Sequence, residues 1–400
     1  MVSKRVFITG VGVISALGNG WNATRSNLLS GKSGISEANH LKTRYVKEFP
    51  FGEINQSTEQ LISAVPGDLL EGISRTEVLA LIALNQAISD AGLGKEEIQS
   101  EQTSLISASS VGGMSQTDSL HHDANLLGQP TPYLSSYNVG EHINGLTSYF
   151  GIKGLGTVFN TACSSSANAI MFGARLIKTG RAHRVLVGGA DALAKFTVNG
   201  FNSLQILSST PCKPFDVERD GLNLGEGAAY LVLESEDLVG DKDIYAEVSG
   251  YGNASDAFHP SAISDEAYGV VGAISAAIQQ AAIEPTQISY VNAHGTGTQN
   301  NDLAELTGMN EVFNGQIPPF QSTKTYTGHT LAAAGSIEAV ISLMVLKNNE
   351  LYPTLNCSNP ISDFDSRPIQ SSEKNYEVNH VLSNSFGFAG NCSSLIFSKV

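Results

Sequence analysis

Runs of Lys and Arg are missing from this 400-residue chain, in which 23 basic residues face 38 acidic ones for a formal charge of −15 at pH 7. A nucleic-acid face would need an electrostatic footprint that the sequence does not supply, so that class of partner is set aside. Cysteine is scarce: Cys163, Cys212, Cys357 and Cys392 are the full set. They are too few to staple a chain of this length, and their spacing fits no zinc ribbon or finger, so a reducing cytoplasm is the expected setting. No segment of 18 or more residues reads as apolar enough to cross a bilayer. The opening MVSKRVFITGVGVISALG has a basic start and an apolar stretch. Thr9, Gly10 and Gly12 interrupt it and no small-residue cleavage site follows, so it reads as strand and turn rather than as a leader. Gly10-Val11-Gly12 lacks the third glycine of a dinucleotide fingerprint, Ser15 standing in its place, and no acidic residue follows at the required distance.

What is present describes a compact α/β protein. Hydrophobic residues make up 41% and charged residues 15%, which excludes a disordered chain. Ser74-Arg75-Thr76-Glu77 reads as a capping box, and Val78, Leu81, Ile82, Ala83, Ile88 and Ala91 recur at helical spacing until Gly92. SLISASS at 104–110 then reads as a strand. From Ser264 the same order returns: a helical run, VVGAISAAIQQAA, ends before Pro285, and the strand-like ISYVNA follows at 288–293. Likewise VFNTACSSSANAIMFGARLIKTG followed by RVLVGGADAL has a late counterpart in PFQSTKTYTGHTLAAAGSIEAVISLMVLKNN followed by HVLSNSFGF. The chain therefore reads as two related halves, 1–240 and 241–400, divided at the acidic ESEDLVGDKD. Helices as poor in charge as ANAIMFGARLI and LAAAGSIEAVISLMVL are expected between sheets, with outer helices such as 75–91 covering them.

That repeat places Cys163 and His329 at matching entrances to Ala/Ser-rich helices, with His294 after a strand end, so all three are expected around one central place. A helix N-terminus favours thiolate at Cys163. His294 lies in NAHGTGT, where Thr296 and Thr298 offer hydroxyls, and His329 lies in KTYTGHT, five residues after Lys324. Three ligands arriving singly from distant loops are weak support for zinc, and no metal is expected. A cysteine protease needs one histidine and an orienting group, whereas two imidazole donors suit negative charge developing on a carbonyl oxygen.

FNTACSSS, PCKPFDVERDGLNLGEGAAYLVLE at 211–234, VNAHGTGT, STKTYTGHTLAAAGSIEA and SNSFGFAGN resemble the successive signature blocks of β-ketoacyl-acyl-carrier-protein synthases of the branch with a Cys-His-His site. The resemblance spans essentially the whole chain in the family's order. It implies the thiolase-like five-layered αβαβα fold built from two duplicated halves, and a decarboxylative Claisen condensation in fatty acid or polyene/polyketide-type biosynthesis. Cys163 would take an acyl group from a carrier-protein phosphopantetheine, and His294 and His329 would hold the malonyl thioester oxygen and stabilise the enolate. Lys324 matches the family's lysine and Glu305 the acidic residue that pairs with it. For these two, direct catalysis and an ion pair orienting His329 both stay open. The backbone N–H groups of Cys163 and Phe388 would form the oxyanion hole, with Phe388 as gate and Phe386 packed behind it. Thr296 and Thr298 would bond pantetheine amides, and Val111, Tyr133 and Phe201 would line the acyl pocket. Asp220 and Glu226 read as structural, holding turns.

The resemblance implies no cofactor beyond the carrier's phosphopantetheine. It implies an acyl carrier protein as partner and a homodimer, or a heterodimer with a related subunit. The family greets its acidic carrier with a basic patch, to which the region 60–75 here contributes only Arg75. The family's GFGGTN reads GFAGNC, with Ala389 for a glycine and Cys392 for an asparagine. Two rival readings are a non-catalytic chain-length-determining subunit, which commonly lacks the nucleophile, and a thiolase, which lacks the TGH histidine arrangement.

Overall fold

The computed structural model of the chain describes residues 4–67, 69, 71–126, 132–134 and 137–400. Ten strands carry the fold. Five belong to the first half: β1 (Val6–Ser15), β2 (Thr103–Ala108), β3 (Gly156–Phe159), β4 (Arg184–Asp191) and β5 (Gly227–Ser235). Five follow: β6 (Ala246–Ser255), β7 (Tyr290–Asn292), β8 (Phe320–Gln321), β9 (His380–Gly387) and β10 (Asn391–Ser398). They join in the order β3-β2-β4-β5-β1-β6-β10-β9-β7-β8, so each half repeats one strand order and the two meet as mirror sequences at β1 and β6. Only Phe7↔Glu247 and Ile8↔Ala246 pair across that seam.

Six helices complete the layers: α1 (Arg75–Asp90), α2 (Ser165–Lys178), α3 (Lys195–Ser203), α4 (Tyr268–Ala281), α5 (Gln299–Val312) and α6 (Ala334–Asn348). Alternation along the strands sorts the side chains among them. Val185 and Val187 of β4, with Leu395 and Phe397 of β10, pack against α2 and α6 in the central core. Leu186 of β4 faces α1 on one outer side, and Ile396 of β10 faces α4 and α5 on the other. Strands buried on both faces explain the near-continuous apolar runs of the sequence.

Three local expectations change. Ser74 does cap α1 by accepting from the Glu77 N–H at 3.2 Å, but Glu77 does not complete the box; its carboxyl is buried against Gly145. Helix α4 opens at Tyr268 and not at Ser264, and the Asp256 carboxylate takes the capping role, accepting from Gly269 N–H at 2.8 Å. The segment Leu331–Asn348 is long and apolar enough to span a bilayer, with mean hydropathy 1.4, contrary to the sequence reading. Of that stretch 89% is buried inside the protein, so its apolarity serves the central core.

Candidate active site

The nucleophile sits on a strained turn. Ala162, the residue before Cys163, has φ 54°, a left-handed backbone that Ala adopts at a cost of about 1 kcal/mol. Ser164 and the start of α2 at Ser165 follow, which puts Cys163 at the helix N-terminal end. On the far side Gly387 approaches so closely that a Cβ there would lie 2.5 Å from Thr161 O. The Phe388 N–H that follows acts on the Cys163 sulfur in the direction that favours thiolate.

His329 is delivered by its backbone: its N–H donates to Asn223 O at 2.7 Å, and its C=O accepts from Gly225 N–H at 2.9 Å. A Cβ on Gly225 would stand 2.2 Å from Thr327 O, which is why the GLNLGEG block carries glycine there. His294 follows β7, and the Glu305 carboxylate of α5 grips its N–H and that of Gly295, both at 2.8 Å. Asp302, one helical turn earlier, accepts from Thr296 N–H at 2.9 Å and Gly297 N–H at 3.1 Å. The loop NAHGTGT is thus pinned by two carboxylates of one helix.

The structure brings the three expected residues together. One ligand atom from each of Cys163, His294 and His329 lies within 4.8 Å of the others, all three side chains being buried. The imidazoles meet edge to face at 5.5 Å and 83°, and Phe386 packs on His294 at 5.6 Å. Lys324 Nζ contacts His294 Nδ1 at 3.2 Å, and the Leu331 N–H contacts His329 Nδ1 at 3.2 Å. An ammonium and an amide can only donate, so both Nδ1 atoms are acceptors and both protons sit on Nε2. The pocket therefore receives two N–H donors. The same tautomers oppose metal binding, because a coordinating Nε2 would need its proton moved onto an Nδ1 that already faces a donor.

Burial holds both histidines well below 6.5, with the Lys324 charge acting in the same direction. They stay neutral donors. Burial also pushes the Cys163 thiol up to about 11, against the pull of Lys324 and the Phe388 N–H. The sequence suggested that the helix end delivers thiolate; at this buried position the helix end alone does not.

Two predicted placements are corrected. Lys324 does not pair with Glu305 or orient His329: its ion pair is with Glu338 of α6 at 2.5 Å, and it orients His294. Glu305 lies on α5, whose turn faces the His294 backbone, and its oxygens are taken by amide groups there and by Asn384 at 3.1 Å. Tyr133 does not line the cavity at Cys163. After Val111 the chain runs into a 3₁₀ turn, Gly112–Gln116, and a helix, Thr117–Leu126, tied outside by Asp118 to Lys195. Tyr133 lies in an outer cleft beside Arg75 and Lys195.

Val111 and Phe201 do share a cavity with Cys163, about 510 Å³ in volume. Thr296 and Thr298 line a second one, about 410 Å³, with Cys163, His294 and His329. Phe388 belongs to both and stacks on Phe201 at 5.8 Å and 21°, so this ring pair stands where the two cavities meet at the sulfur. Ala389 keeps the left-handed backbone expected of the family's glycine, φ 64°, and its N–H donates to Pro260 O at 2.7 Å. Glu226 holds turns, accepting bidentately from Arg75 and from the Ile54 and Leu193 N–H groups.

Matches to known proteins agree with this geometry along the whole chain. The model of the β-ketoacyl synthase N-terminal domain matches residues 3–238, and that of the C-terminal domain matches 245–358. The chain belongs to the β-ketoacyl synthase family. Its curated relatives include 3-oxoacyl-[acyl-carrier-protein] synthase 2 of Staphylococcus aureus, 31% identical over 99% of both chains. The enzyme of the same name from Coxiella burnetii is 32% identical over 100% of both. Among solved structures, the ishigamide ketosynthase/chain length factor superposes with a TM-score of 0.94 at 27% identity over 100% of both chains. A ketosynthase, ApeO, in complex with its chain length factor, ApeC, from Xenorhabdus doucetiae gives 0.88 at 31% identity, covering 99% of this chain and 98% of that one. The synthase family's thiolase-like fold is the one described above.

Sequence reasoning missed three carboxylates, the first being Asp302, which pins the loop after His294. Glu338 is the one acidic residue of α6, and a lone acid in so apolar a helix was the available signal. Asp191 ends β4, accepts from Ser109, Ser110 and Val111, and also takes the Ala332 N–H at 2.8 Å. It thereby fastens the turn after His329 to the first half.

Proposed function

We propose that this chain is a β-ketoacyl-acyl-carrier-protein synthase that condenses a Cys163-bound acyl group with a malonyl-carrier protein. The sulfur attacks the acyl thioester carbonyl, the bond to the carrier's phosphopantetheine sulfur breaks, and the proton of the Cys163 thiol passes to that sulfur, which departs as the thiol. The Phe388 and Cys163 N–H groups bear the transient oxyanion. A malonyl thioester then enters along Thr296 and Thr298, with its carbonyl oxygen between the two Nε2–H donors. Breaking the bond to CO2 leaves its electron pair as an enolate, which both donors stabilise. The carbon attacks the acyl-enzyme carbonyl and expels the Cys163 sulfur.

The observation that carries this reading is the pair of neutral imidazoles, each locked by a donor behind it, converging with one sulfur on a buried pocket. The partner is an acyl carrier protein, and the chain works as a dimer in the cytoplasm. Its units are the halves 1–240, with the nucleophile, and 241–400, with both histidines.

Incubation with an acyl-carrier protein is expected to add the acyl mass to Cys163, and Cys163→Ala to abolish it. Unchanged labelling in that variant would remove Cys163 from the role. Release of CO2 from malonyl-carrier protein separates this reaction from a thiolase, and His329→Ala should slow it about 10²–10³-fold.

A further inference from the structure

The two N–H groups assigned to the oxyanion come from turns far apart in the chain, and no shared element sets the distance between them. Cys163 stands before α2 in the first half. Phe388 opens the three-residue loop Phe388–Gly390, whose flanks Gly387 and Asn391 face each other as the last pair of the β9–β10 ladder. Fastening either flank to the Cys163 turn therefore fastens the loop. At Gly387 the contact is steric, through its close approach to Thr161 O. At Asn391 it is polar. The Asn391 amide oxygen accepts from Ser164 Oγ at 2.8 Å, from Asn168 Nδ2 at 2.9 Å and from Asn253 Nδ2 at 3.0 Å. Asn168, buried on α2, spends its other amide proton on Thr161 Oγ1 at 2.8 Å. Its oxygen accepts from Asn253 Nδ2 at 3.0 Å and Ser393 Oγ at 3.1 Å. Three asparagines, on α2, β6 and β10, thus knot the residues on both sides of Cys163 to the end of the Phe388 loop. Position 391 is also where the family's GFGGTN carries threonine and this chain does not.

We propose that Asn391 is a positioning residue for acyl transfer, its amide oxygen clamping the loop that carries the Phe388 N–H onto the turn that carries Cys163; the proposal rests on the ketosynthase reading. Asn391 lines neither cavity at the sulfur and acts only through the placement of the Phe388 amide. A neutral acceptor suits the task, because it gathers three donors without bringing a charge next to the thiol. The imidazoles are held by other groups: His294 by Lys324 and Glu305, and His329 by Asn223 and the Leu331 N–H. The two chemical steps therefore depend on the clamp unequally. Acyl transfer draws on the Phe388 N–H, and loss of CO2 draws on the imidazoles.

The test separates those steps. Acylation of Cys163 by saturating acyl-carrier protein is followed as gain of mass in a single turnover. CO2 release from malonyl-carrier protein is followed in the Cys163→Ala background. Each is measured with and without Asn391→Ala. A displaced donor costs up to about 10²-fold, so Asn391→Ala should slow acylation about 10- to 100-fold. CO2 release should stay within about twofold, which also reports that the variant folds. Asn391→Asp returns an acceptor oxygen to the three donors and should recover most of the acylation rate. Asn253→Ala, at an exposed position, removes one donor to the same oxygen and should slow acylation about threefold, the scale of one hydrogen bond, with CO2 release kept. Acylation by Asn391→Ala within about twofold of the unaltered chain, or equal loss in both steps, overturns the clamp. So does an Asn391→Asp chain as slow as Asn391→Ala. Should Asn391→Ala not fold, Asn253→Ala decides, and unchanged acylation there overturns the clamp. Failure of the unaltered chain to take up the acyl group at all overturns the ketosynthase reading itself, and the clamp with it.

Discussion

Two buried imidazoles beside an ammonium take up protons only at a pH well below their ordinary range. His294 and His329 are both held down by burial and by Lys324, so the neutral Nε2–H form persists as pH falls through 6.5. Decarboxylation of malonyl-carrier protein by the Cys163→Ala variant, which isolates this step, should therefore stay flat from about pH 8 to pH 6. An acid limb centred near 6.5 would contradict the assignment. At this scale the sequence was informative about which residues matter and silent about which atoms face which. Lys324 was legible as a functional lysine, yet its partner is Glu338, 14 residues on, and not Glu305. Distance along the chain ranks such candidates poorly, because α6 brings Glu338 back beneath the lysine.

Helix α1 shows how an element can satisfy its sequence signature and still use the residues otherwise. Ser74 caps it and Gly92 at φ 63° lies just past its end, as the spacing predicts, and the apolar stripe faces β1, β4 and β5. Glu77 departs: its carboxyl packs against Gly145 instead of returning to the Ser74 N–H. Burial, with Glu141 adding repulsion, pushes Glu77 up to about 7. A carboxyl raised in the folded state contributes its full stability below its unfolded value of about 4.3 and loses it as pH rises through the folded one. Glu77→Gln should therefore leave stability near that of the unaltered chain at pH 4 and raise it by up to about 3 kcal/mol at pH 8. Denaturant melts at the two pH values check this, and an equal effect at both would refute it. The glycine block around Gly225 was readable as turns, but its job of bearing the His329 backbone was not. That role exists only where a segment of the first half meets a segment of the second.

At the scale of the molecule the two half-sheets share one strand order and hold α2 and α6 between them, while β3 leaves one edge of the sheet unpaired among the described residues. Its residues Gly156–Phe159 are exposed or half-buried, a surface that another strand can extend. Light scattering should give about twice the 42.2 kDa chain mass, and Val158→Pro, which no free edge tolerates under pairing, should give the monomer. A monomer for the unaltered chain would discount the edge. The duplication, the layers and the meeting of one sulfur with two imidazoles were all determined by the amino-acid sequence alone, because apolar periodicity and small-residue turns recur in both halves and dictate what must be buried against what. Tertiary structure alone decided the partners of Lys324 and Glu305, the burial of Arg75 and the removal of Tyr133 from the pocket. Each depends on which polar group, among several of the right kind, ends within about 3 Å of another, and that is settled by packing between segments far apart in the chain.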